Sequence, residues 1–297
     1  MENTKSVFVT IVGKPNVGKS TLLNGLIGEH IAITSSKPQT TRTKIQGILT
    51  KGAVQYVFTD TPGIHKRINK LSEYMNKAVE EAVYGVDVSV VVMNPYGEPN
   101  EKEVGIIKEL CNGRSEVILV INKCDTIKDK GDILKRIDQL KGLGDFDEII
   151  PVSALKGEGL DLLLSAIEKR AKESPHFFPD DSLTDQPERV LAAEMVREQV
   201  LRLMHDEVPH GVAVSIERLS ERDDSDILDI DAVIYCERES HKGIVIGKGG
   251  RMLKEIGKRS RERLESFFEI KVNLKTWVKV REDWRNRDNY INNFGLK

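Results

Sequence analysis

The chain has 297 residues, 39% of them hydrophobic and 31% charged, which is enough for two ordinary domains with cores of their own. A formal net charge of −2 argues neither for nor against a nucleic-acid partner, so the local distribution of charge must decide. No apolar run approaches the roughly 18 residues that span a bilayer, and the N-terminus shows no basic, apolar, small-residue leader, so neither a membrane-spanning nor an exported protein is expected. Three widely separated cysteines, Cys111, Cys124 and Cys236, have no metal-ligand spacing and leave one unpaired in any disulfide scheme. The chain therefore reads as soluble, untargeted and cytoplasmic.

In chain order, an apolar run at 7–12 leads into Gly13-Lys14-Pro15-Asn16-Val17-Gly18-Lys19-Ser20 and then into a helical pattern. That is a complete phosphate-binding loop. Gly13 and Gly18 let the backbone curl so that successive N–H groups point at a phosphate, and the following helix adds the positive end of its dipole. Lys19 is expected to reach the β- and γ-phosphates and Ser20 a magnesium ion, with Lys14, Pro15, Val17 and Thr21 completing the wrap.

Further strand-like runs lie at 44–50, 53–59, 88–93, 116–121 and 148–152, with helical patterns between most of them. The alternation predicts an α/β domain over 1–174 with a mostly parallel sheet wrapped by helices. Only Lys51-Gly52 joins the runs at 44–50 and 53–59, too short for a parallel crossover, so this pair is expected as an antiparallel hairpin at one edge. Two polar motifs end strands: Asp60-Thr61-Pro62-Gly63 and Asn122-Lys123-Cys124-Asp125. Ligands of such sheets collect at the strands' carboxyl ends.

A proline- and aspartate-rich stretch at 175–187 reads as a linker. Beyond it come a helix over 188–205, strands at 212–219 and 229–237, a glycine-rich break at 247–250, a helix to 267 and a strand at 271–280. This order fits a small α+β domain over 188–297. Between Lys242 and Arg263 stand eight lysines and arginines against two glutamates, the electrostatic footprint of phosphate binding in a slightly acidic chain.

The two strand-end motifs, placed downstream of a phosphate-binding loop, resemble the translation-factor class of GTPases. In that class the aspartate matching Asp125 accepts hydrogen bonds from both N1–H and the 2-amino group of guanine. Adenine offers no such pair, so ATP is rejected. The resemblance also assigns Asn122 and Lys123 to bracing the loop and covering the base, with Cys124 between them. Ser153, Ala154 and Leu155 match the short base-contacting loop. It gives Asp60 magnesium through water, and gives the Gly63 N–H, within Thr61-Pro62-Gly63-Ile64, the γ-phosphate. Gln39-Thr40-Thr41-Arg42 lies in a polar, strand-free stretch suited to a mobile switch. Thr41 is the expected second magnesium ligand and Thr40 its rival.

Catalysis of phosphoryl transfer needs a positioned water and compensation of developing charge. Small GTPases commonly carry glutamine at the position of Ile64, which can do neither; His65 beside it reads as a solvated loop histidine. Slow intrinsic turnover is expected. Asn16 occupies the position that coordinates a potassium ion in similar GTPases, although asparagine also suits the turn geometry there.

In the second domain, Ile244-Val245-Ile246-Gly247-Lys248-Gly249-Gly250 matches the GxxG loop of KH domains, which clamps a single-stranded nucleic-acid backbone. Gly247 and Gly250 would admit the backbone, and Lys248, with Arg251, Lys254 and Lys258, supplies charge. Ile244, Val245, Ile246, Leu253 and Ile256 are expected to line the base groove. Trp277 could stack on a base, but a tryptophan in this strand is more often core.

With every motif matched in order, the chain resembles the Era-like GTPases, a type II KH domain following the GTPase domain, over essentially its full length. The resemblance implies GTP and GDP as ligands, Mg2+ as cofactor, and binding to the 3′ end of 16S ribosomal RNA late in small-subunit assembly. The GTP state would favour binding and hydrolysis release. It further implies a monomer with peripheral membrane association, although the chain shows no strong amphipathic anchor. The competing readings are a GTPase switch acting on a protein partner and, disfavoured by Asp125, an ATP-driven RNA remodelling enzyme.

Overall fold

In the computed structural model, which describes residues 4–37, 39–63 and 68–296, the valine- and isoleucine-rich runs become strands because only a central sheet position buries both of their faces. The first part of the chain runs β1 (Lys5–Val12), α1 (Lys19–Ile27), β2 (Ile45–Lys51), β3 (Val54–Asp60), α2 (Lys70–Ala82), β4 (Val88–Met93), α3 (Glu101–Cys111) and β5 (Glu116–Ile121). There follow α4 (Lys130–Leu140), β6 (Glu148–Pro151), α5 (Leu160–Glu168) and a two-residue β7 (Lys172–Glu173). Every residue of β3 and β4 is buried.

The sheet order is β2-β3-β1-β4-β5-β6, with β7 antiparallel to the start of β1. All neighbours on the main path are parallel except β2 and β3, which form the expected antiparallel hairpin. Gly52, at φ +59°, supplies the left-handed conformation of that turn. Because β3 lies on one side of β1 and β4 on the other, the end of β1 is the topological switch point of the sheet. The pairings Ile11↔Asp60 and Met93↔Ile121 bring Gly13, Thr61 and Asn122 to the same edge.

The proline-rich stretch expected as a linker is strapped along the hairpin. Phe177 and Phe178 donate their N–H groups to Gln55 Oε1 at 2.7 and 3.0 Å, Ile48 N–H donates to the Leu183 carbonyl at 2.9 Å, and Thr184 Oγ1 donates to the Gln46 carbonyl at 2.6 Å. Edge strand β2 would otherwise leave Ile48 N–H and the Gln46 carbonyl unpaired.

The described residues divide into two compact units. The first is built on 4–32, 41–63 and 75–185, the second on 186–296 together with 68–74 and the described part of 33–40. The second unit carries α6 (Glu188–Leu203), β8 (Ala213–Arg222), β9 (Ser225–Cys236), α7 (Glu239–Ile246), α8 (Arg251–Phe268), β10 (Lys271–Val280) and α9 (Asp288–Asn293). Its sheet has the order β10-β9-β8, with β8 antiparallel and β10 parallel to β9. Helices α6, α7 and α8 bury Ala192, Val196, Val245, Ile256 and Leu264 against Ile230, Ala232 and Ile234 of β9. After β10, Trp284 is fully buried and its Nε1–H donates to the Gly211 carbonyl at 2.9 Å. No described helix is long and apolar enough to cross a membrane.

Candidate functional site

At the switch point, the turn from β1 into α1 is set by close approach. A Cβ on Gly13, at φ +152°, would collide with the Val92 carbonyl oxygen, and one on Gly18, at φ +96°, with the Asn122 side-chain amide. Val17 is buried, anchoring the loop, while Asn16 is exposed in a left-handed conformation at φ +62°. Lys14 forms an ion pair with the buried carboxylate of Glu103, which also accepts from Asn100 N–H at 2.8 Å in the capping box of α3. A Cβ on Gly63 would lie 2.7 Å from the Pro15 backbone, so this glycine lets the third-strand loop close on the phosphate loop.

Lys19 is buried at the start of α1, and its Nζ donates to the carbonyls of Gly13 at 3.1 Å and Lys14 at 3.0 Å. Burial lowers its pKa to about 8, with the nearby Asp60 carboxylate pulling the other way. Asp60, fully buried, accepts from Ser20 Oγ at 2.6 Å and from Thr41 Oγ1 at 3.4 Å through Oδ2, and the two hydroxyls are 2.8 Å apart. Its Oδ1 is buried without a hydrogen-bond partner. Burial pushes the Asp60 carboxyl above the usual carboxylate range, against the pull of Lys19. Two hydroxyls and an under-satisfied carboxylate form a hard-oxygen set that fits Mg2+. Thr40 turns away from it, its hydroxyl donating to the Lys37 carbonyl at 2.6 Å.

Asn122 clamps three loops: its Nδ2 donates to the Val17 carbonyl at 2.8 Å, and its Oδ1 accepts from Lys123 N–H at 2.8 Å and Ala154 N–H at 3.0 Å. Lys123, left-handed at φ +65°, reaches the Asn16 carbonyl through Nζ, and burial lowers its pKa. Asp125 is half-buried and oriented by Ser153 Oγ, which donates to its Oδ1 at 2.6 Å. Cys124 is tied down through its Sγ and N–H to the carbonyls of Ile121 and Val152, and Leu155 is exposed. The phosphate loop, the oxygen cluster and the two loops expected to contact the base therefore converge at one sheet edge. Thr21 follows Ser20 on α1 and Pro62 follows Thr61, whose hydroxyl is bonded to the Ile11 carbonyl at 2.8 Å. Ile64 and His65 lie outside the described residues.

In the second unit, α7 stops at Gly247, φ +71°, where a Cβ would lie 2.7 Å from Met252 Cβ. Gly249 and Gly250 are left-handed, with open space where a Cβ would be, and α8 begins at Arg251. Lys248 is exposed at the loop tip. Arg251, Lys254, Lys258 and Arg261 fall on one stripe of α8 and border a groove of about 700 Å3, with Leu253, Leu274 and Thr276 among its walls. Two of the residues expected to line a base groove do not. Val245 and Ile256 are fully buried in the core, because one residue's step along a helix turns a side chain about 100°. Ile244 is exposed and Ile246 half-buried. Trp277, read as more often core, is 45% exposed. The alternation along 271–280 carried that signal, since Trp277 is in phase with Lys271, Lys275 and Lys279. Arg261, Leu274 and Thr276 were missed because their place depends on how α8 crosses β10. Glu103 gave no sequence signal beyond its capping-box spacing from Asn100.

The family described as 50S ribosome-binding GTPase matches residues 8–123, and the KH domain matches 207–285. The chain is 52% identical over 291 residues to the GTPase Era of Clostridioides difficile, covering 98% of each, and 49% identical over 294 residues to that of Ruminiclostridium cellulolyticum, covering 99% and 98%. Crystal structures of a tyrosine-to-alanine variant of Aquifex aeolicus Era bound to GDP and AlF4−, and of Era in complex with MgGDPNP and nucleotides 1506–1542 of 16S ribosomal RNA, each superpose with a TM-score of 0.93. Both are 40% identical and are matched over 99% of each chain. On this full-length likeness of sequence and fold, with the two matched domains in the same order, the chain belongs to the Era family of GTPases.

Proposed function

We propose that this GTPase binds the 3′ end of 16S ribosomal RNA through its C-terminal domain and acts in assembly of the small ribosomal subunit, its nucleotide state setting how long it stays bound. The observation that carries this reading is the full-length likeness to an Era structure holding both MgGDPNP and a 16S segment. The broader family's description mentions the large subunit, but the RNA in that relative comes from the small one. In this reading a nucleotide-binding domain covers 1–174, the strap 175–187 joins it to the KH domain over 188–297, and the three free cysteines fit a cytoplasmic setting.

A magnesium ion at this site would supply charge that offsets the negative charge developing in phosphoryl transfer. Ser20, Thr41 and Asp60 are the residues to hold it. The Lys19 ammonium binds the β- and γ-phosphates in place of its present carbonyl partners, and the Gly63 N–H meets the γ-phosphate. Asp125, pre-oriented by Ser153, accepts from the guanine edge, while Asn122 and Lys123 fix the loop beneath it. Ile64 offers no group to orient water, so intrinsic turnover is slow and a partner or ion accelerates it. In this reading Asn16, exposed and left-handed within the phosphate loop, helps to hold a potassium ion.

The test is GTP turnover by the full chain with and without small ribosomal subunits, in potassium and in sodium buffers. The reading expects stimulation by subunits, faster hydrolysis in potassium, and loss of the potassium advantage in Asn16→Ala. Turnover indifferent to subunits, with no RNA bound, would favour the protein-partner reading.

A further inference from the structure

Residues on β10 alternate between two faces. Val272, Leu274 and Val278 pack on the core of the second unit, and Leu274 and Thr276 also wall the groove beside the GxxG loop. The alternate positions Lys271, Lys275, Trp277 and Lys279 are exposed on the opposite face. Trp277 keeps 45% of its surface in water, whereas Trp284, the other tryptophan, is fully buried. None of the three lysines has an ion-pair partner among the described residues. Of the nearby carboxylates, Asp229 is engaged by Arg222 and Asn273, and Asp231 stands opposite Lys275 in the register. β10 is the edge of its sheet, so the groove and this outer face meet along one free strand edge.

We propose that the outer face of β10 is a second contact surface for single-stranded RNA. A base stacks on Trp277 while Lys275 and Lys279 hold neighbouring phosphates of a strand that has left the groove. The inference rests on the reading of the groove as an RNA site. A single aromatic flanked by lysines is the combination that binds unpaired nucleic acid, through the π-face of any base and the charge of its backbone. Protein interface centres are instead depleted of lysine, and along β10 the neighbours of Trp277 on this face are lysines, while the residue opposite it on β9, Val233, is itself buried and adds no exposed apolar surface.

Intrinsic fluorescence separates the possibilities, because Trp284 is shielded and Trp277 is not. The full chain would be titrated with single-stranded oligomers from the 1506–1542 segment, one of about four nucleotides, filling the GxxG groove alone, and one of about twelve. The longer oligomer is expected to quench emission and the shorter one not. Trp277→Ala should abolish the quenching and weaken the longer oligomer roughly 5- to 100-fold, leaving the shorter one unchanged, while Trp277→Phe retains most of the affinity. Lys275→Gln with Lys279→Gln, at exposed positions that do not support the fold, should lower the salt slope for the longer oligomer by about 1.4. Unchanged binding of the longer oligomer by both Trp277→Ala and the lysine pair overturns the proposal. Failure of the wild-type chain to bind the shorter oligomer, or its retention by Lys248→Asp with Gly249→Asp, overturns instead the groove reading beneath it.

Discussion

Ser20 Oγ donates a 2.6 Å hydrogen bond to Asp60 Oδ2, and Thr41 Oγ1 lies 2.8 Å from the same hydroxyl, leaving Asp60 Oδ1 buried and unpartnered. A buried carboxylate held by two hydroxyls and the nearby Lys19 charge, with one oxygen unpartnered, is kept at a cost to the fold that a cation relieves. Asp60→Asn preserves the shape and an acceptor but removes the charge. It should lower GTP affinity in magnesium by roughly 10- to 100-fold, towards that measured in EDTA. The nucleotide-free variant should melt at a higher temperature than the wild-type chain. A lower melting temperature with undiminished magnesium dependence would contradict this account.

Lys19, with its pKa lowered to about 8, is charged at neutral pH and loses its proton in mildly alkaline solution. Its folded value lies below the unfolded one, so between about 8 and 10.5 the unfolded chain binds more protons and this group's contribution to stability rises with pH. Nucleotide affinity moves the opposite way, because phosphate needs the ammonium. GTP affinity should begin to fall as pH passes about 8, by up to about tenfold per unit. Titration calorimetry across that range should show the decline in the wild-type chain and a flatter, weaker profile in Lys19→Met.

The ion pair from Lys14 to Glu103 ties the phosphate loop to the first turn of α3. Its loss frees the loop while leaving Lys19, Ser20 and the loop's backbone N–H groups in place. Glu103→Gln and Lys14→Met should each raise KM for GTP about three- to tenfold with kcat nearly unchanged, and the double variant should be no worse than either alone. Additive effects would mean that the two side chains act separately.

Ser153 fixes the Asp125 carboxylate through a 2.6 Å hydrogen bond, which in the proposed site preorganises one acceptor for the guanine edge. Asp125→Ala should reduce GTP affinity by roughly 100-fold or more while ATP affinity stays low, so the ratio between them collapses. Ser153→Ala should produce a smaller loss of the same kind. Competition binding with both nucleotides measures each ratio.

The left-handed Gly249 has open space where a Cβ would sit, so substitution there strains the local turn without disturbing the core. Lys248→Asp with Gly249→Asp should therefore abolish single-stranded RNA binding while the chain stays folded and still binds GTP. In the wild-type chain, affinity should fall steeply with salt, since Arg251, Lys254, Lys258 and Arg261 present one basic stripe to the groove. Salt-independent binding would point to a protein ligand instead.

What the sequence determined by itself is what neighbours along the chain decide. Gly13 to Ser20 after an apolar strand, Asp125 after another, and Gly247 to Gly250 before a basic helix each carry their chemistry within a few residues, and apolar periodicity fixes the strands and helices around them. Tertiary structure decided which of two adjacent side chains faces which neighbour. Thr41 rather than Thr40 joins Ser20 and Asp60 because the path of the incoming backbone, not composition, aims the hydroxyl. Val245 and Ile256 fall into the core while Leu253 reaches a groove completed by Leu274 and Thr276, since that wall comes from a strand packed across the helix. Glu103 meets Lys14 for the same reason: strand order brings the start of α3 beside the phosphate loop, across a separation that no local pattern encodes.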